Sequence, residues 1–293
     1  MTRHLRFVQR FFLFATPLLA TSVFATSPSQ AASLALSGGE FNLTSFTINP
    51  DVTATVNNAN TLLIANGGKV NAQNNTNTNF LLDPPEAFSS SLSQAFGENQ
   101  NYFGLANTDT KVLGNFFVNA DELFSVDFTA DFYLETSIDD SSENANSSAD
   151  ISFLLFDTTD IAKQGLLDNF FSSLLSEKAT NIKQTPLDFF SLTANVDSRS
   201  DNDFITSNKS EYVTLINQDI QSSFGGKAEF ATASFTGSLK RSFVNSTNLT
   251  LIEVKKNQAR VSIPEPQTST AVLMGCGLVG VATKARFKTT TLT

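Results

Sequence analysis

Phe124-Ser125-Val126-Asp127-Phe128-Thr129-Ala130-Asp131-Phe132-Tyr133-Leu134-Glu135-Thr136-Ser137-Ile138-Asp139 decides the fold class. Every second residue from Phe124 to Ile138 is apolar except Thr136. The alternate set is polar except Tyr133 and carries Asp127, Asp131, Glu135 and Asp139. A period of two over this length means a half-buried antiparallel strand with an acidic outer face. The polar stretch Ser141 to Ser148 reads as a turn, and Ala149 to Phe156 reads as the returning strand of a long hairpin.

Working outward, Phe41 to Ile48, Thr61 to Ala65, Lys69 to Ala72, Tyr102 to Ala106 and Lys111 to Val118 look extended. So do Phe189 to Val196, Lys227 to Phe243 and Thr247 to Val261. In the penultimate run, Ala231, Ala233, Phe235, Gly237 and Leu239 share one face. In the last, Thr250, Ile252 and Val254 do. Asn66-Gly67 predicts a hairpin turn, because both residue types tolerate positive φ. The Asn- and Thr-rich run Asn71 to Asn79 reads as a loop, since short polar side chains compete for backbone hydrogen bonds. One segment has helical spacing: Ile161, Leu166, Leu167, Phe170, Phe171, Leu174 and Leu175 predict a helix over 160–177, capped by Thr159 or Asp160 and packed on the sheet. Roughly ten strands between polar turns, with one inserted helix, predict a mainly β chain of antiparallel sandwich or jelly-roll type.

The two ends read differently from the body. Arg3, Arg6 and Arg10 precede an interrupted apolar stretch, Phe11 to Ala25, followed by small residues such as Ser29-Gln30-Ala31. Residues 1–32 therefore predict a secretory signal peptide removed by signal peptidase, with a permanent anchor as the alternative. At the other end, Pro264-Glu265-Pro266 precedes the apolar run Ala271 to Ala282, and Lys284, Arg286 and Lys288 follow. The prolines force an extended joint, and the basic residues would stop a short membrane helix on the cytoplasmic side.

This tail, residues 263–293, resembles the PEP-CTERM sorting signal of Gram-negative bacteria. Pro264, Glu265 and Pro266 match its motif, Gly275, Gly277 and Gly280 its glycine-rich helix, and Lys284, Arg286 and Lys288 its basic end. The resemblance implies transient anchoring in the inner membrane, cleavage by an exosortase, delivery to the cell surface or extracellular matrix, and association with exopolysaccharide. The body is similar to exported cyanobacterial PEP-CTERM proteins through Ala95-Phe96-Gly97, Asn101-Tyr102-Phe103-Gly104 and Leu249 to Val254. No activity comes with that similarity.

The stretch between the ends, 33–262, reads as one exported domain, large enough to bury a substantial core. Of 19 basic and 28 acidic residues in the chain, six basic and one acidic lie in the ends. The body is thus more acidic than the whole chain's net −9, which excludes a nucleic-acid partner. The single His (His4) and the single Cys (Cys276) also lie in the ends, and there is no Trp. A body without His or Cys has no Ser-His-Asp triad, no Cys-His pair and no thiolate or imidazole metal ligand. Only carboxylate, hydroxyl, Tyr or Lys chemistry remains.

Three sets of residues are candidate sites. Asp197, Asp201 and Asp203 form an oxygen-rich loop of the kind calcium takes, but without the EF-hand glycine and distal glutamate, so a plain polar turn is preferred. Asp139, Asp140 and Glu143 form a similar, weaker cluster. Asn101, Tyr102 and Phe103 offer a modest sugar-stacking platform. The expected function is that of a non-enzymatic exported surface or matrix protein with no cofactor, calcium excepted. The alternatives are a carbohydrate-binding sandwich and a carboxylate-dependent glycan-active enzyme, the latter needing acids that meet across strands.

Overall fold

The computed structural model describes residues 32–176, 184–199 and 202–263. Residues 1–31 of the signal-peptide stretch, Asp201, and the tail residues Pro264, Glu265, Pro266, Gly275, Gly277, Gly280, Lys284, Arg286 and Lys288 lie outside the described residues, while Ala32 opens the first strand.

Among the described residues, twelve strands form two antiparallel six-stranded sheets. They are β1 (Ala32–Thr44), β2 (Val52–Ala65), β3 (Lys69–Leu82), β4 (Pro85–Glu98), β5 (Tyr102–Val118) and β6 (Glu122–Ile138). The rest are β7 (Asn144–Asp157), β8 (Asp188–Asp197), β9 (Phe204–Lys209), β10 (Val213–Ser223), β11 (Ala228–Phe243) and β12 (Thr247–Ser262). One sheet has the order β10-β11-β6-β1-β4-β3, the other β2-β5-β12-β7-β8-β9. We call them the first and second sheets. The expected mainly β sandwich is what the chain forms.

The alternation in β6 works as read. Phe124, Val126, Phe128, Ala130, Phe132, Leu134 and Ile138 are all buried, and β6 sits in mid-sheet between β11 and β1. Phe128 is the hub of the main core. Its ring centroid lies 4.7 Å from Phe190, 5.3 Å from Phe153 and 6.2 Å from Phe41, so rings from both sheets interlock.

Three expectations about connections are corrected. The return after β6 is not a hairpin, because β6 and β7 lie in different sheets. Both strands carry an apolar face, and facing each other across the core buries both. Glu143 holds that crossing: its Oε2 accepts hydrogen bonds from the amides of Asp139 (2.8 Å) and Asp140 (3.0 Å). The Asn66-Gly67 turn likewise links β2 and β3 across the two sheets. The run Asn71 to Asn79 is not a loop but the middle of β3, paired residue for residue with β4. Backbone pairing to a neighbour at the sheet edge overrides the turn preference of these side chains.

The expected helix over 160–177 is two short helices, α1 (Thr159–Lys163) and α2 (Leu167–Leu175). Gly165, at φ 69°, separates them, a conformation that ends a helix. Thr159 and Asp160 do not cap the start. Thr158 occupies that position and makes no side-chain cap, and Asp157 Oδ1 accepts the Thr159 amide instead. Phe171 and Leu174 pack on Leu113, Phe156 and Ile252, the outer face of the second sheet. The buried Lys111 of β5 donates from Nζ to the carbonyls of Leu174, Leu175 and Ser176 at 3.3, 3.4 and 2.7 Å. A cation at a helix C-terminus satisfies carbonyls that have no partner within the helix. Lys111→Met is therefore expected to cost about 1–2 kcal/mol and to speed amide exchange in α2 before the sheets respond. Equal protection in both forms would refute that role.

The interior is not uniformly apolar. A phenylalanine-rich cluster fills one length of the sandwich. A smaller, alanine-rich one including Ala35, Ala95, Ala106 and Ala259 fills the other. Between them lies a polar belt of Ser37, Ser89, Ser91, Ser93, Lys255 and Asn257, all buried. Asn257 donates to Ser37 Oγ (3.0 Å) and accepts from Ser91 Oγ (2.9 Å). Lys255 Nζ donates to the Gly39 carbonyl (3.2 Å) and to Ser89 Oγ (3.1 Å), and Ser89 in turn donates to Glu253 Oε1 (2.8 Å).

Candidate functional site

The helix layer covers only part of the second sheet's outer face. Beyond it, among the described residues, the sheet lies open, and register decides what it displays. One row runs straight across the strands as Asn58, Asp109, Lys256, Asp150, Thr193 and Thr206. The next row, two residues along, is Asn60, Asn107, Gln258, Ser148, Asn195 and Phe204. Most of these residues line a trough of about 520 Å³. Six strands place its ends about 24 Å apart, and the rows are about 7 Å apart.

The trough's chemistry is amide, hydroxyl and one lysine between two aspartates. Lys256 stands in register between Asp109 and Asp150. Loss of water around Asp150 raises its pKa, and the Lys256 charge opposes that rise. Asn195 Oδ1 accepts from Asn146 Nδ2 (3.0 Å), and its own Nδ2 donates to the Asn202 carbonyl (3.1 Å), so it is held in place. Asn107 Oδ1 is sheltered from water with no hydrogen-bond partner among the described residues. Phe204 puts a ring that is 41% exposed at one end.

The residues singled out in the sequence fall elsewhere. Asp197 ends β8, and Asp203 precedes β9. Asp203 Oδ1 accepts the Asp197 amide (2.7 Å), and Asp197 Oδ1 accepts the Arg199 amide (3.1 Å). Both acids thus shape the turn. Beside them Glu229 accepts the amides of Gly225 (2.7 Å) and Gly226 (2.9 Å). Its pKa is raised by burial first and by the Asp203 and Asp197 charges next, against the pull of the two amides. Among the described residues, no three His, Cys, Asp or Glu side chains are grouped to hold a metal.

Tyr102 is no stacking platform. It is 2% exposed, and its hydroxyl sits 2.7 Å from Ser33 Oγ and donates to Glu143 Oε1 at 3.0 Å. The inward side of β5 claims its ring. One acid pair does meet across strands: Glu40 of β1 is the register partner of Asp131 of β6. Burial, then the Glu40 charge, push Asp131 up to about 7, with Ser234 opposing.

None of the trough residues is marked by a motif. Apart from Phe204, each residue of the two rows occupies an ordinary polar position of a strand, and only the pairing of five strand interfaces aligns them. Comparison with known proteins finds no matching family model, no similar curated protein and no similar solved structure.

Proposed function

We propose that this chain is a non-enzymatic exported protein of the cell surface or extracellular matrix, and that its sandwich associates with polysaccharide. The observation that carries this reading is the polar trough across the second sheet, whose amides and hydroxyls suit a hydroxyl-rich ligand. The two ends of the sequence support the export half. In this reading signal peptidase removes residues 1–32, the tail holds the protein briefly at the inner membrane, and an exosortase cuts near Pro264-Glu265-Pro266.

The test is the mass of the protein recovered from the outer surface of cells that possess an exosortase. A mass matching residues near 32 to 266 is expected. A tail-bearing form confined to the membrane fraction would refute the sorting reading. Replacing Glu265 with Ala is expected to cut surface recovery at least tenfold.

A second reading, a carboxylate-dependent glycan-active enzyme, is favoured by the Glu40–Asp131 pair. One carboxyl held near neutrality beside another is the arrangement an acid–base pair needs. Release of reducing ends from a polysaccharide, lost in both Glu40→Gln and Asp131→Asn, would establish it.

A further inference from the structure

We propose that the trough on the second sheet is the binding site for an uncharged polysaccharide chain, which lies across the strands from β2 towards β9. This rests on the reading above and names the class of ligand and the residues that take it.

Four observations carry the argument. First, the shape is that of a chain site. The trough is long across the strands and two rows wide, with Phe204 at one end. An extended polymer fits such a surface, whereas a compact metabolite would leave most of it wet. Second, the polar groups are of the right kind. Asn60, Asn107, Gln258 and Thr193 offer donors and acceptors together, and a sugar hydroxyl is itself both donor and acceptor. Third, Asn107 Oδ1 has no hydrogen-bond partner among the described residues despite being sheltered. Such an atom costs stability until a donor reaches it. A hydroxyl lying on the floor of the trough would supply that donor.

Fourth, charge selects among polysaccharides. The row that contains Lys256 places an Asp on either side of it in register. Its charge therefore stands between two negative ones, and the acidic excess of the body adds a further negative field. A uronate or sulfated polymer would meet repulsion here, and a neutral chain would not. Phe204 contributes an apolar face for a sugar ring to rest on.

The experiment is affinity electrophoresis of the full chain through native gels cast with dextran, with galactomannan or with alginate. Retardation by a neutral polymer and none by alginate is expected. Asn60→Ala, Gln258→Ala and Phe204→Ala are each expected to weaken retardation roughly five- to tenfold, the loss of one hydrogen bond or one stacking contact. Gln221→Ala, on an edge strand of the other sheet, serves as the control and should change nothing. Thermal unfolding of each variant separates lost binding from lost fold. Retardation by alginate instead, or retardation by a neutral polymer that all three trough variants retain, would overturn this site and leave polysaccharide association standing. No retardation in any gel would overturn the site and the polysaccharide half of the reading together. The sorting half is judged by the surface mass alone.

Discussion

Lys255→Met is expected to lose about 2 kcal/mol more stability at pH 8 than at pH 5, because Glu253 is left without the neighbour that favours its ionised form. Lys255 and Glu253 lie two residues apart on the inward face of β12 and are joined through Ser89. Burial drives both towards neutrality. It pushes Glu253 up to about 7 from an ordinary 4.5, with Lys255 and Ser89 opposing, and pulls Lys255 down to about 7 from 10.5, with Glu253 and Glu40 opposing. Glu253 Oε2 has no partner among the described residues. Without Lys255, Glu253 keeps its proton to higher pH still. The penalty is then small at pH 5 and grows as pH rises.

The sign for the parent follows from linkage. Between pH 4.5 and 7 the folded state holds a proton on Glu253 that the unfolded chain has lost, so stability falls with pH. Between 7 and 10.5 the folded state has released the Lys255 proton that the unfolded chain keeps, so stability rises again. The double variant Glu253→Gln/Lys255→Met lacks both terms. Its advantage over the parent is expected to be greatest near pH 7 and to shrink on either side. Urea unfolding of the four proteins across this range measures it. A single Lys255→Met loss that is the same at pH 5 and pH 8 would show that the charges play no part.

Phe128→Ala is expected to cost about 3–5 kcal/mol, the usual range for removing a fully packed aromatic side chain. Its ring meets rings from β1, β7 and β8, so no single strand can shift to fill the void. The same site resists the opposite change. A Cβ added at Gly237 would lie 2.6 Å from Phe128 Cζ and 2.5 Å from the Thr214 carbonyl oxygen. The latter is backbone and has nowhere to go. Gly237→Ala is therefore expected to lose about 1–3 kcal/mol, despite the helpful loss of a glycine from a strand. Chemical denaturation reads both, and a Gly237→Ala variant as stable as the parent would mean that β10 yields more easily than its pairing indicates.

What could be read from the sequence follows from which faces are buried. β6 buries its apolar face fully and leaves most of its polar face part-exposed, so its alternation is visible even though Ser125 and Asp131 are covered. β12 has the inward side described above and an outer side where Thr250, Ile252 and Val254 meet the helix layer. Its correctly grouped outer residues point away from the main core, and the inward Glu253 and Lys255 look like surface residues. β3 and β9 are edge strands without a strong pattern of their own, and β10 keeps only Val213 fully buried. The alternation also tells which face a residue occupies but not which strand lies beside it. The Asn60–Asn107–Gln258 row is therefore invisible until the pairing is known.

The position of β12 has a consequence for the order in which the chain acquires its structure. β12 is the last strand among the described residues, yet it lies between β5 and β7 in the middle of the second sheet. Its Thr247 pairs with Val118, and its Ser262 with Phe103. Until residue 262 has emerged from the machinery that makes or exports the chain, β5 and β7 have no neighbour between them, and the ladder groups that face β12 stay unpaired. Such long-range closure is slow, and it leaves strand edges open to other chains while it waits. Completion of the second sheet is thus gated by the sixteen residues of β12, and its open strand edges persist until they are available.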